Sequence, residues 1–338
     1  MRLDIAWVVV GRLANSIFVL AALSLLIFLF MKAVPGDPVL SILGENLTTS
    51  EQYAEVREAL GLDLPWYEQY FDWIWGAVQG DFGLSIITQE PILPLIVEKL
   101  KATIELAFFA VLFGTVFGVI VGAVAALKRN TFFDTVATVV SLIGISIPVF
   151  WLGILLIVIF AVKLGMAPTG GMIAFDTMIT DVTGFPLLDA IITGNWSALR
   201  DLLSHLVLPA VTLGLTPAAL IARTTRASVI EVMNEDYVKA SMARGVGKFT
   251  VLRRHILRNA MIPVVTIIGL EIGVYIGGSI VTETVFSWPG LGREMINAIY
   301  ANDYPVVQGA ILVYAALIVL INMTVDITYM LIDPRVKL

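Results

Sequence analysis

The sequence predicts an all-α polytopic membrane protein, and three observations carry that prediction. Hydrophobic side chains make up 58% of the 338 residues and charged ones 14%, with a mean hydropathy of +0.91, a balance too apolar for a water-soluble domain. Six apolar runs, over 13–31, 104–127, 135–162, 202–222, 260–286 and 306–330, each approach or exceed the roughly 20 helical residues that cross a hydrocarbon core. The charges also sort by side. With both termini, the 128–133 turn and the 223–259 loop placed in the cytoplasm, 14 of the 21 Lys and Arg residues lie inside and 18 of the 27 acidic residues outside. That is the positive-inside bias, and it makes the net charge of −6 a property of the outer face.

Residues 1–34 form the first span. Arg2 and Arg12 precede its apolar run, but 23–34 holds no small-x-small cleavage site, so the segment reads as a retained transmembrane helix rather than a signal peptide. Residues 35–101 then form an extracytoplasmic segment. It opens on Pro35-Gly36-Asp37-Pro38, has a helix start at Thr48-x-x-Glu51 and a stop at Gly61. Its aromatic cluster, Trp66, Tyr67, Tyr70, Phe71, Trp73 and Trp75, suits a membrane-interface belt, the core of a small external layer, or a docking surface.

Residues 102–338 hold the other five spans. Thr131-Phe132-Phe133-Asp134 has the pattern of a capping box opening the third, in which Gly144, Ser146, Pro148 and Gly153 loosen the helix and admit a neighbour. An outer segment over about 164–200, rich in Gly, Thr and Asp, leads to the fourth span, where Pro209 and Pro217 should kink the helix. The cytoplasmic loop over about 223–259 contains two helix-forming stretches, 230–243 and 248–260, separated by Gly245-Val246-Gly247. Water alone does not reward its Tyr237, Val238, Val246, Phe249 and Val251, so a cytoplasmic protein partner is expected.

Several chemistries are excluded. Without cysteine there is no disulfide or thiolate site. The Gly247-Lys248 pair is followed by Phe249 and lacks the earlier glycine, so it is no P-loop. His205 and His255 fall on opposite faces of the membrane, which disfavours a histidine metal site. A membrane enzyme would need an intramembrane nucleophile or metal set that the spans do not show. An ungated channel has no use for a basic docking loop. Of the acidic residues in spans, Glu105 and Asp326 lie near span ends, whereas Glu271 sits mid-span in Gly269-x-Glu271-x-Gly273. It is a candidate for lining a translocation path, with a hydrogen bond to a neighbouring helix as the competing role.

The loop sequence Asp236-Tyr237-Val238-x-Ala240-x-x-Ala243-Arg244-Gly245, followed by His255-x-Leu257-Arg258-Asn259-Ala260, resembles the EAA loop of ABC-importer permeases. Lys239, Ala240 and Ser241 stand where the generic loop has Glu-Ala-Ala, a departure shared by the dipeptide/oligopeptide (and nickel) branch. The resemblance covers nearly the whole chain. Further signatures are Pro35-Gly36-Asp37-Pro38, Gly80-Asp81-Phe82-Gly83-x-Ser85, Thr103-Ile104-Glu105-Leu106, Gly144-x-Ser146-x-Pro148-x-Phe150 and His205-Leu206-x-Leu208-Pro209. Ala222-Arg223-x-Thr225-Arg226, Asp303-Tyr304-Pro305 and Asp333-Pro334-Arg335 belong to the same set. Val182-Thr183-Gly184-Phe185 and Ser287-Trp288-Pro289-Gly290-Leu291-Gly292 look most similar to B-type dipeptide permeases.

The resemblance implies a type I ABC-importer transmembrane domain with six spans and cytoplasmic termini, in a prokaryotic inner membrane. Its implied partners are a second homologous permease completing a heterodimeric pore, two ABC ATPase subunits and an extracytoplasmic substrate-binding protein, besides membrane lipid and without nucleic acid. ATP and Mg2+ would sit on the ATPases, with no cofactor on this chain. The implied solute is a di- or oligopeptide, with nickel and cationic or antimicrobial peptides as alternatives. A short coupling helix around 244–250 is expected, with Tyr237, Ala240, Ala243, Arg244, Gly245, Val246, Gly247, Phe249, His255, Arg258 and Asn259 forming the ATPase-coupling loop. Ser141, Ser146, Glu271, Gly273 and Gly277 are candidate path residues. Asp37, Asp81, Phe82, Trp288, Asp303 and Tyr304 are candidate contacts for the binding protein.

Overall fold

The computed structural model describes residues 2–33, 39, 49–59 and 61–332. Among these the chain is built from helices: α1 (Arg2–Ala33), α2 (Ser50–Ala59), α3 (Trp66–Val78), α4 (Ile92–Leu127), α5 (Phe132–Ser146), α6 (Val149–Lys163), α7 (Pro186–Ile192), α8 (Trp196–Met233), α9 (Asp236–Ala243), α10 (248–285), α11 (Leu291–Tyr300) and α12 (Tyr304–Ile332). Five are long and apolar enough to cross a bilayer, and the bent pair α5–α6 makes a sixth if it counts as one span.

The bend corrects the expectation of one loosened helix over 135–162. α5 and α6 meet at 111°. Pro148 has no N–H to continue the ladder and its ring drives the preceding residue out of the helical region; Ile147 is extended at φ −79°, ψ 128°. Pro209 and Pro217, by contrast, lie inside a helix that runs unbroken for 38 residues. The start of α5 also differs from expectation. Thr131 makes no side-chain cap, its hydroxyl donating instead to the Lys128 carbonyl at 2.6 Å. The capping box before α2 is real but one residue later than expected. The Gln52 N–H donates to Thr49 Oγ1 at 3.3 Å and the Thr49 N–H to Gln52 Oε1 at 3.1 Å, while Thr48 and Pro35–Pro38 lie outside the described residues. Gly61 ends α2 with φ +65°, and the Leu62 N–H reaches back to the Arg57 carbonyl, as a left-handed C-terminal cap requires.

The described residues pack as two compact units, those within 2–101 with 290–327, and those within 102–289 with 328–332. In the first, α3 lies on α1. Tyr70 and Ser24 share a hydroxyl hydrogen bond of 2.8 Å, and the Phe28 ring meets Tyr70 at 5.5 Å and Trp73 at 6.2 Å. The aromatic cluster is therefore divided: Tyr70 and Trp73 make the α1–α3 contact, whereas Trp66, Tyr67, Phe71 and Trp75 are exposed.

The second unit is organised around α8, whose N-terminus is capped by Asn195 accepting from the Ala198 N–H. One core gathers Leu106, Leu202, Leu206, Leu213, Tyr275 and Trp288. A glycine ladder brings α4 against α8. A Cβ on Gly118 would stand 2.6 Å from the Ala218 carbonyl oxygen, and Cβ atoms on Gly114 and Gly122 would collide with the Tyr275 hydroxyl and the Ala222 carbonyl. This Gly-x-x-x-Gly-x-x-x-Gly spacing is the small-residue interface by which membrane helices bring their backbones together.

Candidate functional site

The loop between α8 and α10 is held by an apolar cluster of its own. Val229, Val238, Val251, Ile256 and Ala260 are buried with Ala126, which accounts for the apolar residues of the loop that face inward. Helix α8 runs on to Met233, so the expected 230–243 helix is two helices broken at Asn234 and Glu235. The turn that follows α9 is tight. Gly245 has φ +78°, a region open to glycine at no steric cost, and its N–H donates to the Met242 carbonyl. Helical structure resumes at Lys248, passes through a π-helical segment over Val251–Leu257 and continues without interruption as α10 to Val285. The expected coupling helix over 244–250 is thus a turn at 244–247 followed by the first turn of a membrane-spanning helix.

Tyr237 and Asn259 brace the two sides of this loop. Asn259 Nδ2 donates to the Tyr237 hydroxyl at 2.7 Å and to the His255 carbonyl at 3.0 Å. Val246 is half-buried, and the Ser241 hydroxyl donates to the Tyr237 carbonyl. The remaining expected residues point outward: Ala240, Ala243, Arg244, Gly245, Gly247, Arg258 and, at 73% exposure, Phe249. With Met242, Arg253 and Arg254 also exposed, the tip presents cationic and apolar groups on a frame that its own hydrogen bonds fix.

The candidate path residues are not gathered into one cavity. Ser146 lies at the α5–α6 bend, in an apolar groove of about 510 Å³ lined by Leu142, Ile143, Pro148, Phe150 and Trp151. Ser141 lines a smaller space of about 50 Å³ beside Arg223 and Arg226. Both hydroxyls donate to carbonyls of their own helix. Glu271, Gly273 and Gly277 line neither space. Glu271 is half-buried one turn before the buried Tyr275, and Gly277 faces open space.

Two of the residues expected to meet a binding protein lie inside. Trp288 is fully buried, its indole N–H donating to the Ala102 carbonyl at 2.9 Å; such an anchored ring offers no surface to a partner. Asp303 is also buried, accepting from the Ser85 hydroxyl at 2.5 Å and the Ile86 N–H at 3.1 Å, so that it shapes the 83–88 turn. Asp81 is exposed and accepts from the Gly83 N–H, Phe82 packs against Gly309, and Tyr304 is half-buried. Asp37 lies outside the described residues.

Sequence reasoning missed four polar anchors of the second unit. Arg226 grips Asp134 with two hydrogen bonds of 2.5 and 2.8 Å, joining α5 to α8. Glu283, which the charge count placed on the outer face, is fully buried and accepts from the Thr103 hydroxyl at 2.8 Å. Glu105 accepts from the Leu187 N–H at 3.1 Å. Asp189 accepts from the Thr183 N–H and hydroxyl and from the Gly184 N–H, which gives Val182–Phe185 its turn. Burial pushes the Asp189 carboxyl up, but those donors outweigh it and hold the group below the usual carboxylate range.

The chain belongs to the family of binding-protein-dependent transport system inner membrane components, which matches residues 114–338, with the N-terminal module of the same systems matching 5–107. It is an inner-membrane permease subunit, not an enzyme. Among curated relatives it is 41% identical over 332 residues to the dipeptide transport system permease protein DppB of Escherichia coli strain K12, covering 97% of this chain and 98% of that one. It is 40% identical over 329 residues to the glutathione transport system permease protein GsiC of the same strain, covering 97% and 98%. A solved structure of the MetNI methionine ABC transporter in an inward-facing conformation shares the fold, with a TM-score of 0.52 at 20% identity over 72% of this chain and 99% of that one.

Proposed function

We propose that this chain is one of two permease subunits of an ATP-driven importer of dipeptides and short oligopeptides, with both termini and the 223–259 loop in the cytoplasm. The observation that carries the solute class is the 41% identity to a dipeptide permease over 97% of the chain. The loop geometry supports the coupling role. Its exposed tip, with Phe249 and Arg244, suits a groove on an ATPase subunit, where ATP and Mg2+ are bound. Because helix runs from Lys248 to Val285 without a break, displacement of the tip on ATPase closure moves a membrane helix directly, a rigid-body route between inward- and outward-open states. A second homologous permease completes the pore, and an extracytoplasmic binding protein delivers the peptide.

The test is uptake in a strain lacking this gene, with and without the gene restored. Labelled dipeptide uptake is expected to disappear and return with it. Loss of glutathione or nickel uptake with dipeptide uptake unchanged would replace the solute assignment.

A further inference from the structure

α3 is short, sits outside the spans, and has three kinds of surface in order around its axis. At 3.6 residues per turn, Tyr67, Phe71, Trp75 and Val78 fall within an arc of about 80°, and all four are exposed, Trp75 by 68%. Glu68, Asp72 and Gln79, also exposed, occupy the next arc. Tyr70 and Trp73 lie on the side packed against α1. A water-soluble helix has no reason to keep an exposed aromatic stripe beside an acidic edge, whereas an interfacial helix is built this way, with Trp and Tyr at the headgroup level.

The contact with α1 fixes the depth. It is made at Ser24 and Phe28, one to two turns before Lys32, whose ammonium stands 5.5 Å from the Phe28 ring. At 1.5 Å per residue that is about 6–12 Å along the helix, comparable with the roughly 5–10 Å to which interfacial helices sink. On the side of α1 away from α3, Leu26 and Phe30 are exposed apolar residues at the same level of a helix long and apolar enough to span, so α3 lies beside a segment that lipid surrounds.

We propose that α3 lies in the membrane–water interface beside the end of α1. Tyr67, Phe71, Trp75 and Val78 rest in the lipid headgroup–acyl boundary, and Glu68 and Asp72 face water. The acidic edge fits zwitterionic lipid rather than an anionic surface. The helix thereby acts as a lateral float that sets the depth of α1.

The absence of native cysteine makes the test direct. Tyr67→Cys, Phe71→Cys, Trp75→Cys, Val78→Cys, Glu68→Cys and Asp72→Cys are made singly in the full chain. Each is spin-labelled in the transporter complex in phosphatidylcholine nanodiscs, and the spectrum of the cysteine-free chain in the same complex is subtracted. Collision with oxygen is expected to exceed collision with a water-soluble nickel chelate at 67, 71, 75 and 78, with the ratio inverted at 68 and 72. Nickel-dominated collision at all six positions would place the stripe in water and overturn the proposal. Loss of collision with both reagents at the four stripe positions would mean that protein covers it, and would overturn the proposal equally.

Discussion

Asp134 is the residue on which the N-terminal end of α5 depends. It is nearly fully buried, its charge is met by the Arg226 guanidinium in a two-bond fork, and the Asn130 N–H donates to it at 3.0 Å. Removing one member of a buried pair typically costs about 3–5 kcal/mol because the other is left uncompensated. Arg226 keeps 31% exposure, so water screens it and about 2–3 kcal/mol is expected for Asp134→Ala or Arg226→Ala alone. The double variant should cost little more than either single one. Thermal unfolding of the purified protein would show this, and additive losses would mean that the fork contributes no coupling. Only part of this residue-level picture is legible in the sequence. The local pattern makes Asp134 half of a capping box, because its true partner stands 92 residues away and no local pattern points there. The motifs that hold Trp288 and Asp303 are equally silent about the distant groups, Ala102 and Ser85, that take these side chains inside. A motif shows that a position is constrained, but only the fold shows whether the constraint comes from a partner or from the interior.

The helix contact that the sequence displays most openly is the ladder Gly114, Gly118 and Gly122. Its four-residue spacing puts all three on one side of α4, and the structure lays that side on the α8 backbone. Gly118→Val should separate the helices. Overpacking alone costs about 1–3 kcal/mol, and the nearest atom is a backbone carbonyl that cannot swing away. Gly277→Ala is the control: nothing lies within 4 Å of its Cβ position, so no loss is expected. The fraction of each variant extracted as a monodisperse protein distinguishes them, and equal yields would remove the ladder's role. At the same scale, proline gave two outcomes from one residue type. Pro148 broke a span, while Pro209 and Pro217 sit within an unbroken α8. Helix α8 is packed on several sides by α5, α6, α7 and α10, and such neighbours re-satisfy a membrane helix that loses a hydrogen bond.

For the whole molecule, the question is how an outside force enters a chain that hydrolyses nothing. The 236–257 loop is braced by its own hydrogen bonds and buried apolar cluster, is exposed at its tip, and leads directly into α10. Phe249→Asp should leave the fold intact, since the ring touches little of its own chain. It should weaken capture of the ATPase subunits by at least about tenfold, roughly the 1.4 kcal/mol expected on losing an aromatic anchor from an interface. Co-purification from membranes, normalised to permease content, measures this; unchanged ATPase recovery would remove Phe249 from the contact.

By itself the sequence determined the membrane setting, the helical class, the position of the apolar runs, the glycine turn at 245 and the resemblance to importer permeases. All of these follow from local composition, periodicity and short motifs, which a chain displays before it folds. Tertiary structure alone decided that Trp288, Asp303 and Glu283 are inside, and that Asp134 belongs to Arg226. It also decided that the turn at 244–247 leads into a helix running on to Val285. Those outcomes depend on which distant segment arrives to satisfy a charge, fill a groove or cover a ring, and that is settled only when the helices have packed.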